Sequence, residues 1–182
     1  QGVGEEDLID FTPALRAEAL ERVANFRMGP IFTPPVVADP DGPYGTLMLP
    51  SAGGGTNWPG GSVDPETGIF YQYSFTNVTS LGLVNNPERS DMNFIRGNPA
   101  GVPARDRALT IRGLPLIKPP WGRISAIDLR TGDIVWQIAH GETPDNVREH
   151  PDLQGLDIPR TGRSGRVGTL ITKTLVIAGE PG

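Results

Sequence analysis

Cysteine is absent from the 182 residues, which removes disulfides, thiolate metal sites and a cysteine nucleophile. Lysine is almost absent: the 16 basic residues are arginines except for Lys118 and Lys173. Acidic residues outnumber them at 21, for a net charge of −5. With no basic patch to neutralise phosphates, nucleic acid is not an expected partner. No apolar run reaches the ~18 residues of a membrane helix, and no secretory signal pattern opens the chain. The expectation is therefore a cytosolic protein or an internal piece of a longer one. Aromatics make up only 7% and fall mostly inside strand patterns. They supply no row of exposed rings of the kind a carbohydrate-binding module needs.

Glycine and proline are abundant instead, at 24 and 19 residues. Their share lies just under the roughly 25–30% that marks low-complexity chains. The hydrophobic 37% reaches about half once glycine is added, which is normal for a globular core. The length suits one ordinary domain, since domains run about 100–200 residues. So many breakers leave little room for long helices, and a loop-rich β protein is expected.

Thr12-Pro13 reads as an N-cap followed by a first-turn proline. Leu15, Ala19, Leu20, Val23 and Phe26 follow at helical spacing, with Gly29-Pro30 as a stop, so a helix is predicted over 13–27. The stretch 30–45 is proline-rich and must be extended or turning. A short strand, Thr46–Leu49, precedes the glycine-rich run Gly53-Gly54-Gly55-Thr56-Asn57-Trp58-Pro59-Gly60-Gly61. The run lacks the Gly-Lys-Ser/Thr ending of a phosphate loop and is read as a turn.

The text then repeats itself. Residues 62–73 and 126–137 both read apolar-Asp-x-x-Thr-Gly-x-apolar with an aromatic residue close behind, 64 residues apart. Aspartate accepts backbone N–H bonds within a tight turn and glycine supplies the positive φ. Flanking β-branched and aromatic residues make each copy an antiparallel hairpin. A third hairpin pairs Thr169–Thr172 with Leu175–Ala178. Residues 76–121 and 140–167 read as long irregular insertions, and Thr143-Pro144 starts a short helix ending before Pro151. The expected division is 1–44, helix and connector, and 45–182, hairpins with insertions. Hairpin units that cannot bury their own faces point to a repeat architecture. Propellers need about 4–8 blades, and this chain carries signals for about two, breaking off at Gly179-Glu180-Pro181-Gly182. It is therefore read as a piece of a larger propeller, its hairpins as neighbouring wedges of a closed ring. The rival is a small β protein with two similar hairpins.

The runs Gly45–Pro50, Gly54–Gly68, Pro119–Leu129 and Gly162–Gly168 resemble the quinoprotein glucose dehydrogenase family. The similarity spans about Asp10 to Gly182 and corresponds to a late part of that family's eight-bladed propeller. The resemblance implies an all-β fold: a partial β-propeller of about two four-stranded antiparallel blades, with long loops and one N-terminal helix. It further implies pyrroloquinoline quinone (PQQ) and Ca²⁺ as cofactors and an aldose or polyol substrate, as in glucose oxidation to gluconolactone. Remaining blades complete the ring, and electrons pass to ubiquinone in the membrane. The location implied is periplasmic, with an inner-membrane anchor on a segment not present here. In the family the carboxylate base and the Ca²⁺ surroundings come from earlier blades. No position here matches them, so this chain alone is expected not to catalyse. The rival from another class is a cofactor-free propeller scaffold of the outer-membrane assembly type, which has short inter-blade loops.

The resemblance places Asn57 against the quinone, and an amide can both donate to and accept from such a ring. Thr56 and Trp58 flank it as cofactor-binding candidates. The other reading makes Asn57 a turn cap and Trp58 a packing residue between blades. Arg166 suits a tricarboxylate such as PQQ because of its fixed fork of donors, and Arg163 lies on the same loop; a solvated loop arginine is the alternative for both. The loop departs from the family, with Val167 in place of a glycine and Lys173-Thr174 in place of a glycine-containing turn. His140 and His150, near Glu142, Asp145 and Glu149, show no recognised metal-ligand spacing. Asp64 and Asp128 are read as turn residues and not as a catalytic pair. Asn77-Val78-Thr79 matches a glycosylation sequon too common to use.

Overall fold

The computed structural model describes residues 2–180. They form two compact units, one of the residues up to 52 with 78–118 and one of 53–77 with the residues from 119 on. Pro181 and Gly182, at the break after the last hairpin, lie outside the described residues.

In the first unit, helix α1 spans Pro13–Val23. Thr12 Oγ1 accepts from Leu15 N–H at 3.2 Å, and Pro13 occupies the first turn. Leu15, Ala19 and Val23, spaced at i, i+4 and i+8, are the buried face. They belong to a core with Leu8, Ile9, Leu47, Leu114, Leu116 and Ile117. The helix stops four residues short of the expected 27. Asn25 O accepts from Tyr44 N–H, Arg27 N–H bonds Gly45 O, and Arg27 O accepts from Leu47 N–H. The backbone of 25–27 is thus committed to the 44–47 segment and is unavailable to a further helical turn.

The stretch 76–121, expected to be irregular, contains four short strands. Among them β5, Thr79–Val84, is the spine of a sheet. It pairs in parallel with β1 (Val36–Val37) and antiparallel with β2 (Thr46–Met48) and β6 (Ile95–Gly97). The small hairpin of β7 (Thr110–Ile111) and β8 (Leu114–Pro115) puts Ile111 and Leu114 into the core.

The second unit is built on one four-stranded antiparallel sheet. Strand β3 (Gly61–Asp64) pairs with β4 (Ile69–Phe75), β4 with β9 (Gly122–Asp128), and β9 with β10 (Ile134–Ala139). The two sequence copies are the two hairpins of this sheet. They lie side by side within one blade-like sheet and not in successive wedges, because β4 pairs with β9 over its whole length, Ile69 with Asp128 through Phe75 with Gly122. The third hairpin, β11 (Thr169–Ile171) with β12 (Val176–Ala178), forms as expected. It is tied to the sheet by the Ser62 hydroxyl, which donates to Thr169 O at 2.5 Å. Tyr73, Ile124 and Val167 make the small core beneath, with Phe75 and Ala178 packed on it. Val167, a departure in the sequence reading, is therefore a core residue. Helix α2 (Asp145–Arg148) is the short helix expected before Pro151.

The architecture is mostly β, with several antiparallel sheets and one substantial helix. Among the described residues no sheet closes on itself. This is a partial propeller.

Candidate functional site

The sheet of the second unit has two ends of different character. At one end the Asp-x-x-Thr-Gly turns close on themselves. Asp64 Oδ1 accepts from Glu66 N–H at 3.0 Å and Asp64 Oδ2 from the Thr67 hydroxyl at 2.6 Å. Gly68 sits at φ +72°. The Asp128 turn repeats this with Arg130, whose backbone N–H and guanidinium both donate to the carboxylate, at 2.9, 3.0 and 2.7 Å; Gly132 has φ +81°. The Arg130 side chain holds the Asp128 carboxyl at about 2. The Thr67 hydroxyl lowers Asp64. Both carboxylates are consumed by their own turns, as the sequence reading has it.

At the other end, the loops carrying the sequence candidates converge on the last residues of β4. The glycine-rich loop is fastened by Phe75 N–H donating to Gly55 O at 2.7 Å. The 161–166 loop is fastened by the Ser164 hydroxyl, which donates to Thr76 O and Trp121 O at 3.3 and 3.1 Å, and by the Tyr73 hydroxyl, which donates to Arg163 O at 2.6 Å. Burial pushes the Tyr73 phenol up to about 12. Trp121 N–H reaches Thr161 O at 2.7 Å, and His140 accepts from Arg163 N–H at 2.9 Å. This backbone knot requires glycine twice. A Cβ at Gly122 would overlap the Arg163 carbonyl oxygen, and one at Gly162, with φ +65°, would overlap Gly122 O.

Asn57 is half-buried, and its Oδ1 accepts from Trp58 N–H at 2.9 Å while its backbone O accepts from Gly60 N–H. The side-chain NH₂ is left to donate elsewhere. Thr56 is exposed, and Trp58 is 86% exposed. Arg166 is exposed and makes no hydrogen bond or ion pair among the described residues. Thus Asn57 and Arg166 lie on two loops tied to the same sheet end, 109 residues apart in sequence.

The histidines are engaged elsewhere. His140 Nε2 lies 2.7 Å from Gly179 O and stacks edge-on against Tyr73, while His150 Nδ1 accepts from Asp152 N–H at 3.2 Å. Among the described residues no three His, Asp or Glu side chains gather closely enough to hold a metal ion.

One residue at this end escaped the sequence reading. Arg123, second in β9, donates from its guanidinium to the Thr76 hydroxyl. Its Nε is buried with no hydrogen-bond partner among the described residues. Burial lowers the Arg123 pKa. No pattern in the sequence distinguishes it from a surface arginine, because its burial depends on the pairing of β4 with the distant β9.

A family model described as "Glucose/ethanol/alcohol dehydrogenase, beta-propeller domain", with PQQ as its short name, matches residues 1–181. The chain is 29% identical over 157 residues to quinoprotein glucose dehydrogenase A of Acinetobacter calcoaceticus, covering 78% of this chain and 18% of that protein. It is 32% identical over 131 residues to quinoprotein glucose dehydrogenase of Escherichia coli, covering 64% and 16%. It is also 30% identical over 114 residues to a probable quinate dehydrogenase (quinone) of Xanthomonas campestris, covering 55% and 14%. It thus spans under a fifth of the length of these relatives. No solved structure gives a significant match. The chain belongs to the β-propeller domain family of the PQQ-dependent glucose, ethanol and alcohol dehydrogenases.

Proposed function

We propose that this chain supplies one wall of the cofactor site in a larger quinoprotein dehydrogenase that oxidises a sugar or other alcohol with PQQ and Ca²⁺. The observation that carries the reading is the convergence of the Asn57 and Arg163–Arg166 loops on one sheet end. The donors there suit the ligand. PQQ presents carboxylates, which match the planar fork of arginine, and quinone oxygens, which match an amide NH₂. When bound, PQQ supplies the two-electron acceptor for the alcohol carbon. Asn57 donates from its side-chain NH₂, which its turn leaves uncommitted. Arg166 pairs with a carboxylate, and Thr56 and Trp58 border the mouth. In this reading the cation ligands and the base that takes the alcohol proton lie on other blades, as the resemblance to the quinoprotein family implies.

A second feature supports neighbouring blades. Strand β10 exposes Ile134, Val135, Trp136 and Ile138, apolar residues pointing to both faces of the sheet. Apolar residues on both faces of a strand are characteristic of one covered on both sides. The names of the relatives favour an enzyme over the cofactor-free scaffold. In this reading the complete protein works in the periplasm and passes electrons to ubiquinone. No described helix is long and apolar enough to cross a membrane.

The test is reconstitution of the full-length protein with PQQ and Ca²⁺, followed by dye reduction with glucose, other polyols and quinate. Bound-cofactor absorbance with dye reduction is expected. Absence of both overturns the enzyme reading in favour of the scaffold.

A further inference from the structure

We infer that Arg123 is a carboxylate-anchoring residue of this sheet end, taking a carboxylate of the bound cofactor or of an acid substrate. The inference rests on the quinoprotein reading above. Its guanidinium is half-buried, and the Thr76 hydroxyl is its hydrogen-bond partner. Its Nε is buried and unmatched, and no carboxylate among the described residues reaches it. A buried donor without an acceptor is costly, more so on a charged group. Burial alone, with no neighbouring acid, sets the direction of its pKa. A cation held this way is poised for an anion that arrives later.

Position argues for a ligand and against a stray charge. Thr76, the partner of Arg123, accepts at its carbonyl from Ser164 and follows Phe75, which holds Gly55. Arg123 therefore shares its anchor with both candidate loops. Its register partners Ser74 and Ala139 bring no opposing charge. Carboxylate is the chemistry a guanidinium fork with a free Nε recognises best, through paired N–H···O bonds.

The experiment uses the full-length protein with Arg123→Met and Arg123→Lys. Three quantities are read: the denaturant midpoint without cofactor, PQQ affinity by tryptophan-fluorescence titration, and KM for quinate against glucose. Arg123→Met should leave the ligand-free midpoint unchanged or raise it, since an unmatched donor is removed. If the cofactor is the source of the carboxylate, PQQ affinity falls about tenfold or more. If the substrate is the source, PQQ affinity holds while KM for quinate rises about tenfold and that for glucose does not. Arg123→Lys keeps the charge but loses the fork and should show a smaller loss in the same quantity. A drop in the ligand-free midpoint with both ligand constants unchanged would assign Arg123 to a structural hydrogen bond with Thr76 and overturn the inference. No change in any quantity would overturn it too. Failure of the unmutated protein to bind PQQ would sink the quinoprotein reading separately. The inference would then stand or fall on whether Arg123→Met weakens quinate binding measured calorimetrically; no quinate binding to lose would end it.

Discussion

The two ends of the four-stranded sheet use the same kinds of residue to opposite effect. At the turn end, Asp64 and Asp128 are saturated by Thr67 and Arg130 two or three residues away, and the glycines at 68 and 132 have open space around them. At the loop end, the glycines at 122 and 162 are wedged between backbones, while Asn57, Arg123 and Arg166 each keep an unused donor. A self-satisfied end explains itself as folding. An end whose backbone is locked while its side chains are left wanting has the form of a binding site, rigid in support and incomplete in bonding.

The comparison predicts unequal costs. Gly122→Ala has the largest effect, because the new methyl meets the Arg163 and His140 carbonyls and neither is a flexible tip. We expect a loss of about 3 kcal/mol by chemical denaturation and greater proteolytic cleavage within 161–166. At the turn end, Gly132→Ala meets nothing within 4 Å, and the cost is backbone strain alone, about 1 kcal/mol. Equal losses at the two sites would break the contrast.

Tyr73→Phe removes the bond to Arg163 O and should cost about 1 kcal/mol while loosening the 161–166 loop. Its pH signature has a definite sign. The phenol titrates at about 12 when folded against 10.0 ordinarily, so the native state holds its proton longer. This contribution is complete below pH 10, fades between 10 and 12, and is absent from the phenylalanine variant.

The smallest change is Arg130→Gln. Asp128 lies near 2 against an ordinary 3.8, so its contribution is present above pH 4 and fades as pH falls towards 2. The variant should lose that acid-limb slope while its denaturant midpoint at neutral pH stays close to that of the unmutated protein. NMR titration of the Asp128 carboxyl checks it.

What the sequence made legible was local. Thr12-Pro13 marks its helix start and Asp-x-x-Thr-Gly its hairpins because each motif's partners sit within a few residues, and Thr169–Ala178 alternates as a short hairpin should. What it hid was set by distant pairing. Strand β5 is interrupted by Gly82 and gains its order from strands more than 30 residues upstream, so it read as loop. The union of both hairpins in one sheet depends on β4 meeting β9 across an intervening stretch of which 78–118 belong to the other unit. Asn57 and Arg166 stood out as donors on glycine-rich loops, but that both loops fasten to the last residues of β4 was not legible. Arg123 was not legible at all, since its meaning is an unfilled bond and only coordinates reveal one.

Hydrogen exchange of the full-length protein with and without PQQ tests the central claim most directly. The account predicts slowed exchange in peptides covering 53–60 and 161–168, with those covering 64–68 and 128–133 unchanged. Protection confined to the turn peptides, or to neither set while PQQ is demonstrably bound, would contradict it.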